Sequence, residues 1–361
     1  MTDEEGRDRL RRAFRRFAEA EAVPQGSAVY ERLCEVVASD DALLDLAAEA
    51  APGQPAPNLF FGSVHALLED DPADPLAAYY RSVGGTRSVD DALGEAFRAF
   101  VLPRRDAVLA LLRTHLVQTN EVRRSAVLFP VFATASAEAD GAPIALIEIG
   151  ASAGLNLLFD RYGYRYSERS AGHATASLVL ECEARGAPLP VERVPAVVSR
   201  LGLELNALDV RSEADMRWLR ALVWPEHDER RRVLQAAVDI ARIDPPEVRT
   251  ADLFTHLPGA ITAAPARARV VVFATFVLNQ FTQEMRARLK QLLLDASRER
   301  AIDVVVVGGS EWFIGERRDF GSAPVIRARL EGGQGTWRQL AVADPHGWWI
   351  DWQPSEPRAW V

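Results

Sequence analysis

Cysteine and lysine are scarce in this chain of 361 residues, which contains only Cys34, Cys182 and Lys290 of these two types. Two cysteines so far apart exclude a disulfide framework and a thiolate metal site, and they suit a reducing compartment. We expect both to be small buried hydrophobic residues, which is the usual fate of free cysteine. Arginine supplies 41 of the 42 basic residues, which indicates the codon bias of a GC-rich genome rather than a function.

An excess of positive charge is also missing, as are long apolar runs. The net charge of -9 argues against a nucleic-acid-binding role that depends on a basic surface. The first residues, MTDEEGRDRLRRAF, lack the apolar core of a signal peptide, and no run approaches the ~20 apolar residues of a membrane span. We therefore expect a cytoplasmic protein that binds neither nucleic acid nor membrane. The sequence leaves its oligomeric state open.

Pairs of histidines at metal-ligand spacing are the third absence. The six histidines are His65, His115, His173, His227, His256 and His346. No two of them are spaced as the ligands of one metal ion would be, so we expect no metal site.

The composition is that of a globular protein, with 48% hydrophobic and 26% charged residues, and the length suits about two domains. Residues 1–140 are predicted to form a helical N-terminal region, because apolar residues there recur at helical spacing. From Ile144 onward, predicted strands and helices alternate, which indicates an α/β fold with a mostly parallel sheet. Two continuous apolar runs, residues 270–276 and 304–307, are typical of strands covered on both faces.

One stretch, residues 144–162 with the sequence IALIEIGASAGLNLLFDRY, organises the predicted fold. Its apolar run 144–149 predicts a short buried strand, and Leu155, Leu158 and Phe159 lie at helical spacing after it. The small residues between them predict a turn that joins the strand to a helix. Such a turn brings backbone N–H groups and a helix N-terminus close to a ligand, and it favours an anionic or strongly polar group there.

The turn combines a carboxylate with small residues, as Glu148, Gly150, Ser152 and Gly154. A carboxylate at the end of a strand suits a bound nucleoside or an amino-acid cation, and the glycines let the backbone approach it closely. Open α/β sheets bind their ligands at such strand ends. The simpler alternative is an ordinary tight connection between a strand and a helix. The spacing is not G-x-G-x-x-G, so the turn lacks the dinucleotide fingerprint.

The same turn also has the pattern G-x-S-x-G, which is the nucleophile elbow of α/β-hydrolases. Ser152 would then attack an ester or an amide, and Asp303 and His346 follow in the order that this fold requires. The hydrolase fold places several strands before its elbow, whereas the residues before Ile144 are predicted to be helical. A serine hydrolase is therefore an alternative to the ligand-binding turn.

Polar residues also gather at two other places. Residues 118–123, which include Asn120 and Glu121, separate two predicted apolar helices. They are either substrate contacts over the ligand crevice or the cap and solvated first turn of a helix. Glu311 and Trp312 follow a glycine-rich strand end, where they belong either to a substrate site or to a surface loop.

Three strings of the sequence resemble one bacterial family. They are IEIGASAGLNLLFDRY, QTNEVRRSAVLFP at residues 118–130 and LRALVWPE at residues 219–226. All three are similar to the family called domain of unknown function 2332, and the resemblance covers most of the chain. The strings are specific to that family, but the family name carries no activity.

A more distant resemblance is to class I S-adenosylmethionine-dependent methyltransferases. Residues 148–154 are similar to their first motif, E-x-G-x-G-x-G, with Ser152 in place of the middle glycine. The resemblance implies a Rossmann-like methyltransferase domain at residues 141–361, with an insertion around residues 164–195. The helical region 1–140 would then lie on the substrate side of that domain.

The same resemblance implies roles for three residues farther along the chain. Asp252 matches the acid that lies near the adenine of the cofactor. Asn279 and Gln280 match positions where catalytic or substrate-contacting residues often lie. We therefore expect these side chains at the ends of the third and fourth strands of the sheet.

The acid that would bind the ribose ends the second strand of that fold. Glu168, Glu204 and Asp209 are the candidates. Glu168 is nearest to the expected distance of about 20 residues after the turn. Glu204, in the string GLELN, better resembles the motif and is the one we favour, which requires the insertion around residues 164–195.

These observations lead to one hypothesis and two alternatives. The hypothesis is S-adenosylmethionine-dependent methyl transfer to a small-molecule acceptor, which the chain would hold in line with the methyl group. The predicted cofactor-binding residues are Glu148, Gly150, Ser152, Gly154, Glu204 and Asp252, and the predicted catalytic residues are Asn279, Gln280, Asn120 and Glu121. The alternatives are a serine hydrolase of the α/β type that uses Ser152, and a non-catalytic protein that senses a ligand or binds a partner on the same fold.

Overall fold

The computed structural model describes residues 3–309 and 321–360, which form two compact units. The helical unit comprises Met1–Thr119 and Ser212–Arg232, and the sheet unit comprises Asn120–Arg211 and Val233–Val361. The predicted division at residue 140 differs from this one. Residues 120–140 belong to the sheet unit, and residues 212–232 belong to the helical unit although they follow five strands of the sheet.

Eleven α-helices occur within the described residues. They are α1 (Asp3–Phe17), α2 (Ala28–Ala38), α3 (Asp41–Ala47), α4 (Ala56–Leu68), α5 (Ala92–Val101), α6 (Arg105–Thr114), α7 (Arg124–Ala137), α8 (Glu213–Ala221), α9 (Asp228–Ile243), α10 (Leu253–Ala263) and α11 (Gln283–Ala296). Short 3-10 helices cover Pro75–Tyr79, Arg81–Val83, Leu155–Arg161 and Val277–Gln280, and a π-helical turn, Ala18–Ala22, follows α1.

Aromatic side chains form the centre of the helical unit. Phe14, Phe60 and Phe61 are completely buried, and Tyr30 stacks on Phe61 with ring centroids 4.6 Å apart. Each helix contributes an apolar stripe to this core, which is what helical spacing of apolar residues predicts. Side chains cap several of the helices; Asp40, for example, accepts hydrogen bonds from the first amides of α3.

The sheet unit contains twelve strands within the described residues. They are β1 (Ile144–Ile149), β2 (Gly163–Tyr166), β3 (Arg169–Gly172), β4 (Val179–Gly186), β5 (Val197–Glu204), β6 (Glu247–Thr250), β7 (Arg269–Thr275), β8 (Ile302–Val307), β9 (Ala323–Glu331), β10 (Gln334–Ala343), β11 (Trp349–Trp352) and β12 (Arg358–Ala359). Their order across the sheet is β3-β2-β4-β11-β10-β9-β8-β7-β1-β5-β6, and β12 pairs with β10.

The strands β6, β5, β1, β7 and β8 form an unbroken parallel run. The strands β3 and β4 and most of β2 lie within the predicted insertion at residues 164–195. The strand β4 pairs in parallel with β2 and joins the main sheet by pairing in parallel with β11. The structure thus confirms the predicted α/β fold with a mostly parallel sheet and a helical N-terminal region.

The strand order reverses beside β1. From β1 the chain continues to β5 and β6 on one side of it, and then returns to β7 and β8 on the other side. Ligands of open α/β sheets bind outside the carboxyl ends of the strands at such a reversal. The strand β10 ends at this same edge, because it is antiparallel to β9, which is itself antiparallel to β8.

Both faces of the central strands are covered. On one face, Ile147 and Val272 belong to a core that includes Leu257 of α10 and Leu289 of α11. On the other face, Phe273 contacts Phe132 of α7 with ring centroids 5.2 Å apart. Burial on two sides explains the continuous apolar runs of β7 and β8, and the packing of α7 on β7 explains why residues 120–140 belong to the sheet unit.

Candidate functional site

The turn after β1 has an unusual backbone. Gly150, Ser152 and Gly154 have φ angles of 71°, 55° and 74°. Ser152, which replaces the middle glycine of the E-x-G-x-G-x-G motif, therefore adopts the conformation that normally favours glycine. A Cβ atom on Gly150 would lie 2.6 Å from Cγ2 of Val277. The turn thus requires alternating positive φ angles and no side chain at its first position. The predicted helix after it is a 3-10 helix, Leu155–Arg161.

Glu204 binds this turn directly. Its Oε2 atom accepts a hydrogen bond of 2.8 Å from the backbone N–H of Ser152, and its Oε1 atom accepts one of 2.8 Å from Leu205. Glu204 is the last residue of β5, which pairs in parallel with β1. Glu168 lies in the turn between β2 and β3, and Asp209 lies in the loop before α8. Among the three candidates, Glu204 is therefore the acid that ends the strand beside the turn.

The backbone amides of Gly150, Gly154 and Leu155 also have protein acceptors. Asn120 accepts a hydrogen bond of 3.1 Å from Leu155 N and so caps the 3-10 helix. The backbone amides of Gly150 and Gly154 donate to the carbonyls of Leu203 and Ala151 at 2.9 and 2.7 Å. The sequence predicts that the backbone amides of the turn favour an anionic or strongly polar group. In the structure, the group that binds the Ser152 amide is the carboxylate of Glu204 from the protein itself.

Glu148 lies beneath the turn and is 1% exposed. Asn156 donates a hydrogen bond to its carboxyl group, and the Oδ1 atom of Asn156 accepts one of 2.9 Å from Ser125 of α7. The Oε2 atom of Glu148 has no hydrogen-bond partner among the described residues. Burial raises the pKa of Glu148 well above its ordinary value, and the charge of Glu204 raises it further, against the lowering effects of Asn156 and Arg124. The site therefore favours the neutral form of Glu148.

The segment of residues 120–124, which the sequence leaves as either a cap or a substrate contact, joins the turn to the loop between β10 and β11. Asn120 caps the 3-10 helix, as described above. Glu121 is 5% exposed, and its Oε2 atom lies 3.3 Å from Nδ1 of His346. Arg124 donates from Nε to the carbonyl of Pro345 at 2.9 Å. Asn120 thus caps a helix other than α7, and residues 120–124 are buried rather than solvated. Their contact with a substrate stays a prediction.

Phe276 lies on the other side of Arg124. The guanidinium carbon of Arg124 is 4.3 Å from the centroid of the Phe276 ring. Phe276 follows β7 and has a φ angle of 63°, which is costly for an aromatic residue and is found mainly where function or packing requires it. Its ring lies against Gly308 at the end of β8, where a Cβ atom would be 3.0 Å from the ring.

Asn279 and Gln280 are exposed on the 3-10 helix Val277–Gln280, at the carboxyl end of β7. A Cβ atom on Gly309 would lie 3.2 Å from Oδ1 of Asn279, so this side chain lies at the end of β8 as well. Both residues are therefore at the same edge of the sheet as the turn. Their predicted contact with an acceptor stays a prediction.

Asp252 has a structural function in addition to the predicted ligand contact. It is exposed and caps α10, because its Oδ1 atom accepts hydrogen bonds from N and Oγ1 of Thr255 at 2.9 and 2.8 Å. The hydrogen bond from the Thr255 side chain, together with that from its backbone amide, lowers the pKa of Asp252. The residue lies just past the end of β6, at the outer end of the parallel run.

The three residues that the hydrolase alternative requires do not form a triad. Both carboxylate oxygens of Asp303 accept hydrogen bonds from arginines, one from Arg269 and one from Arg327. Asp303 is the second residue of β8, near the amino end of the strand, whereas Ser152 follows the carboxyl end of β1. His346 pairs with Glu121 instead. The predicted order of nucleophile, acid and base in the sequence is therefore not matched by proximity in the fold.

Glu311 and Trp312 lie outside the described residues. Within residues 3–309 and 321–360, no three His, Cys, Asp or Glu side chains gather as a group that would hold a metal ion. In the same part of the chain, no helix combines the length and apolar character needed to cross a membrane.

Two residues of this site, Asn156 and His346, were not among the predicted site residues. Asn156 is part of the helical-looking string after the turn, and only its buried contact with Glu148 distinguishes it. The sequence suggests His346 as a hydrolase base but gives no link to Glu121, which is 225 residues away in the chain. The one signal in the sequence is the group of turn-forming residues around His346, namely Asp344, Pro345 and Gly347, which suits a hairpin.

The chain belongs to the bacterial family described as uncharacterized protein conserved in bacteria (DUF2332), whose profile matches residues 11–352. No curated protein and no solved structure matches the sequence. Membership confirms the resemblance of the three strings to this family.

Proposed function

We propose that the sheet unit binds S-adenosylmethionine and transfers its methyl group to a small-molecule acceptor. The observation that carries the proposal is the pair of acids, Glu148 and Glu204, at the ends of neighbouring strands. They lie beneath and beside a turn in which the amides of Gly150, Ser152 and Gly154 are already engaged. Such a site offers hydrogen-bond acceptors and negative charge. It suits a cationic ligand with hydroxyl and ammonium donors, and it is poorly suited to a phosphate, which would need the amides that Glu204 and the carbonyls occupy.

The residues of the site fit this cofactor. Glu204 uses two of the roughly four acceptor positions of a carboxylate, so it retains acceptors for two ribose hydroxyls. The unpartnered Oε2 atom of Glu148 is a further buried polar atom beneath the turn. Asp252 would lie toward the adenine, as the resemblance implies. The strand order β6-β5-β1-β7-β8, which is 3-2-1-4-5 in chain order, also supports a Rossmann-like sheet of the methyltransferase type.

S-adenosylmethionine supplies an electrophilic methyl group on a sulfonium. The contribution of this chain is to hold the acceptor in line with that group, an effect that supplies roughly 7–11 kcal/mol in well-oriented reactions. Asn279 and Gln280, exposed at the ends of β7 and β8, are proposed to orient the acceptor. Asn120 caps the 3-10 helix after the turn, and so it positions the turn rather than contacting the acceptor.

Calorimetry with three ligands tests the proposal on the full chain. We expect S-adenosylmethionine to bind and adenosine diphosphate not to bind. The amides of Gly150, Ser152 and Gly154, which a phosphate would need, already have protein acceptors. Glu204→Gln should weaken binding of S-adenosylmethionine by about 10- to 100-fold, the usual effect of losing hydrogen bonds to a charged group. Glu168→Gln, in the exposed turn between β2 and β3, is the matched control and should bind as the wild type does.

Four results would change the conclusion. If millimolar S-adenosylmethionine does not bind, the cofactor proposal is wrong. Tight binding of adenosine diphosphate would point to a phosphate-binding turn instead. Labelling of Ser152 by a fluorophosphonate would favour the hydrolase alternative, and binding without transfer to a broad acceptor panel would favour a ligand sensor.

A further inference from the structure

We infer that His346, oriented by Glu121, accepts the proton of the methyl acceptor, so that the acceptor is a protic nucleophile with a hydroxyl, thiol or N–H group. This inference rests on the proposed function, because it concerns the second substrate of the same site. The sequence offered no obvious general base for methyl transfer. The pairing of Glu121 with His346 across 225 residues of chain provides one.

The geometry of the pair fixes which nitrogen is basic. The Oε2 atom of Glu121 lies 3.3 Å from Nδ1 of His346. An ionised carboxylate only accepts hydrogen bonds, so Nδ1 carries the proton of the neutral ring and Nε2 is the basic atom. A base held in one tautomer by a buried carboxylate is the arrangement that activates nucleophiles in other enzymes. Glu121 is 5% exposed, and the His346 side chain is 25% exposed, so a small molecule has access to the ring.

The loop that carries His346 is held in place by its neighbours. Oδ1 of Asp344 accepts hydrogen bonds from the backbone amides of His346 and Trp348 at 2.8 and 3.2 Å. Gly347 has a φ angle of 83°, and a Cβ atom there would lie 2.5 Å from the carbonyl oxygen of Arg123. The loop therefore packs closely on the segment that contains Glu121, and this contact fixes the distance between the two side chains.

Contacts of Arg124 place the pair close to the proposed cofactor site. Its charge acts on the carboxyl group of Glu148 under the turn. Its Nε atom donates to Pro345, the neighbour of His346, and its guanidinium lies over Phe276, which precedes the helix of Asn279 and Gln280. One side chain thus contacts or influences all three parts of the site. The strand β10 ends at the carboxyl edge of the parallel strands, so His346 lies on the same edge as the turn.

The proposed step is a methyl transfer that is coupled to the transfer of one proton. The acceptor atom forms its new bond to the methyl carbon while the carbon–sulfur bond breaks and its electron pair returns to sulfur. The proton on the acceptor atom moves to Nε2 of His346, and the imidazolium is stabilised by the ionised Glu121. Among the described residues, the other charged groups next to His346 are Asp344, which accepts from the His346 amide, and Arg123 and Arg124, which lie against Gly347 and Pro345.

Histidine side-chain NMR of the 15N-labelled full chain tests the pair without any need for turnover. His346→Gln identifies the signal of His346 by its disappearance. In the wild type we expect the Nδ1–H tautomer at pH 8. Glu121→Gln should lower the pKa of His346 by about one unit, because the ring loses a neighbouring negative charge. His173 and His256, which lie elsewhere in the sheet unit, are internal controls whose titration should not change.

A second experiment separates this inference from the proposed function. Calorimetry with S-adenosylmethionine should give the same affinity for His346→Gln and the wild type, because His346 is not a cofactor contact. Transfer of the labelled methyl group to catechol, imidazole or dithiothreitol should fall by at least about 100-fold in the variant. Transfer to dimethyl sulfide, which has no proton to lose, is the matched control and should not fall.

The outcomes are distinguishable. If the titration of His346 is the same in Glu121→Gln as in the wild type, or if His346→Gln transfers to the protic acceptors at the wild-type rate, the inference is wrong while the proposed function stands. Transfer to dimethyl sulfide alone would also overturn it. If S-adenosylmethionine does not bind to the wild type, the proposed function is wrong, whatever the titration shows.

Discussion

The buried acids at the two ends of the parallel strands have opposite kinds of hydrogen-bond environment. Near the amino end, Asp303 is completely buried, and arginines donate to both of its carboxylate oxygens. Near the carboxyl end, Glu148 is as deeply buried, but its described hydrogen bond comes from a neutral amide, and its Oε2 atom has no partner among the described residues.

The difference indicates which acid serves the fold and which serves a site. A buried charge that accepts hydrogen bonds from two guanidinium groups is compensated at both of its oxygens, and its removal would leave those groups unmatched. A buried acid with an unpartnered atom lowers stability, and such groups persist mainly where a function requires them. Arg327 extends the compensated end by also binding Glu138 at 2.8 Å. We therefore expect substitutions at the two ends to have opposite effects on stability.

The largest effect is expected at the amino end. Asp303→Asn removes the charge that two buried arginines share and should lower the free energy of unfolding by about 3–5 kcal/mol, the usual result of breaking a buried ion pair. Urea unfolding measures this loss. Asp295→Asn, which changes an exposed acid of α11, is the control and should have an effect below about 0.5 kcal/mol. Equal losses in the two variants would remove the contrast between the ends.

At the carboxyl end, Glu148→Gln should stabilise the protein, and the gain should depend on pH. Below about pH 4.5, the ordinary pKa of the group, wild-type Glu148 is protonated in both the folded and the unfolded states, and the gain is at its minimum. As the pH rises, the unfolded chain releases this proton while the folded state retains it, so the wild type loses stability relative to the variant. Above the raised pKa the difference levels off, at about 1–3 kcal/mol for a buried group of this kind.

Urea unfolding of Glu148→Gln and the wild type at pH 4, 6 and 8 checks this prediction, because other titrating groups cancel in the difference. Glu181→Gln, at an exposed position of β4, is the matched control and should show no such trend. A difference between Glu148→Gln and the wild type that is independent of pH would mean that folding does not shift the pKa of Glu148.

The smallest effect is expected in the turn itself. Ser152→Gly removes a side chain from a residue with a φ angle of 55°. The relief of about 1–2 kcal/mol exceeds the extra backbone entropy of about 0.5–1 kcal/mol that glycine loses on folding, so stability should rise by up to about 1 kcal/mol. Ala153→Gly, at a neighbouring position without positive φ, is the control and should lower stability by about 0.5–1 kcal/mol. A loss in Ser152→Gly as large as in the control would show that the serine side chain stabilises the turn.

The sequence predicted the features of this molecule that depend on local patterns. The buried strands β7 and β8 follow from their continuous apolar runs, and the turn after β1 follows from its small residues. Glu204 was chosen by its motif, and the structure places it at the end of the strand beside that turn. These signals are local because the strand period and the turn geometry depend on a few neighbouring residues.

Contacts between distant segments were not predictable in the same way. The sequence could not show that Glu121 meets His346, because no local pattern links residues that the sheet topology brings together. The prediction of a regular helix after the turn was also wrong. The string has the apolar spacing of an α-helix, but it forms a 3-10 helix whose backbone angles are not helical at Leu158. Tertiary packing overrode the local preference there.

The contact between Glu121 and His346 also joins parts of the chain that are synthesised at different times, because 225 residues separate them. The turn and its two acids, Glu148 and Glu204, leave the ribosome well before the loop that carries His346. Until that loop has been made, Glu121 cannot form this contact. The turn and the contact between Glu121 and His346 are therefore completed at different moments of synthesis.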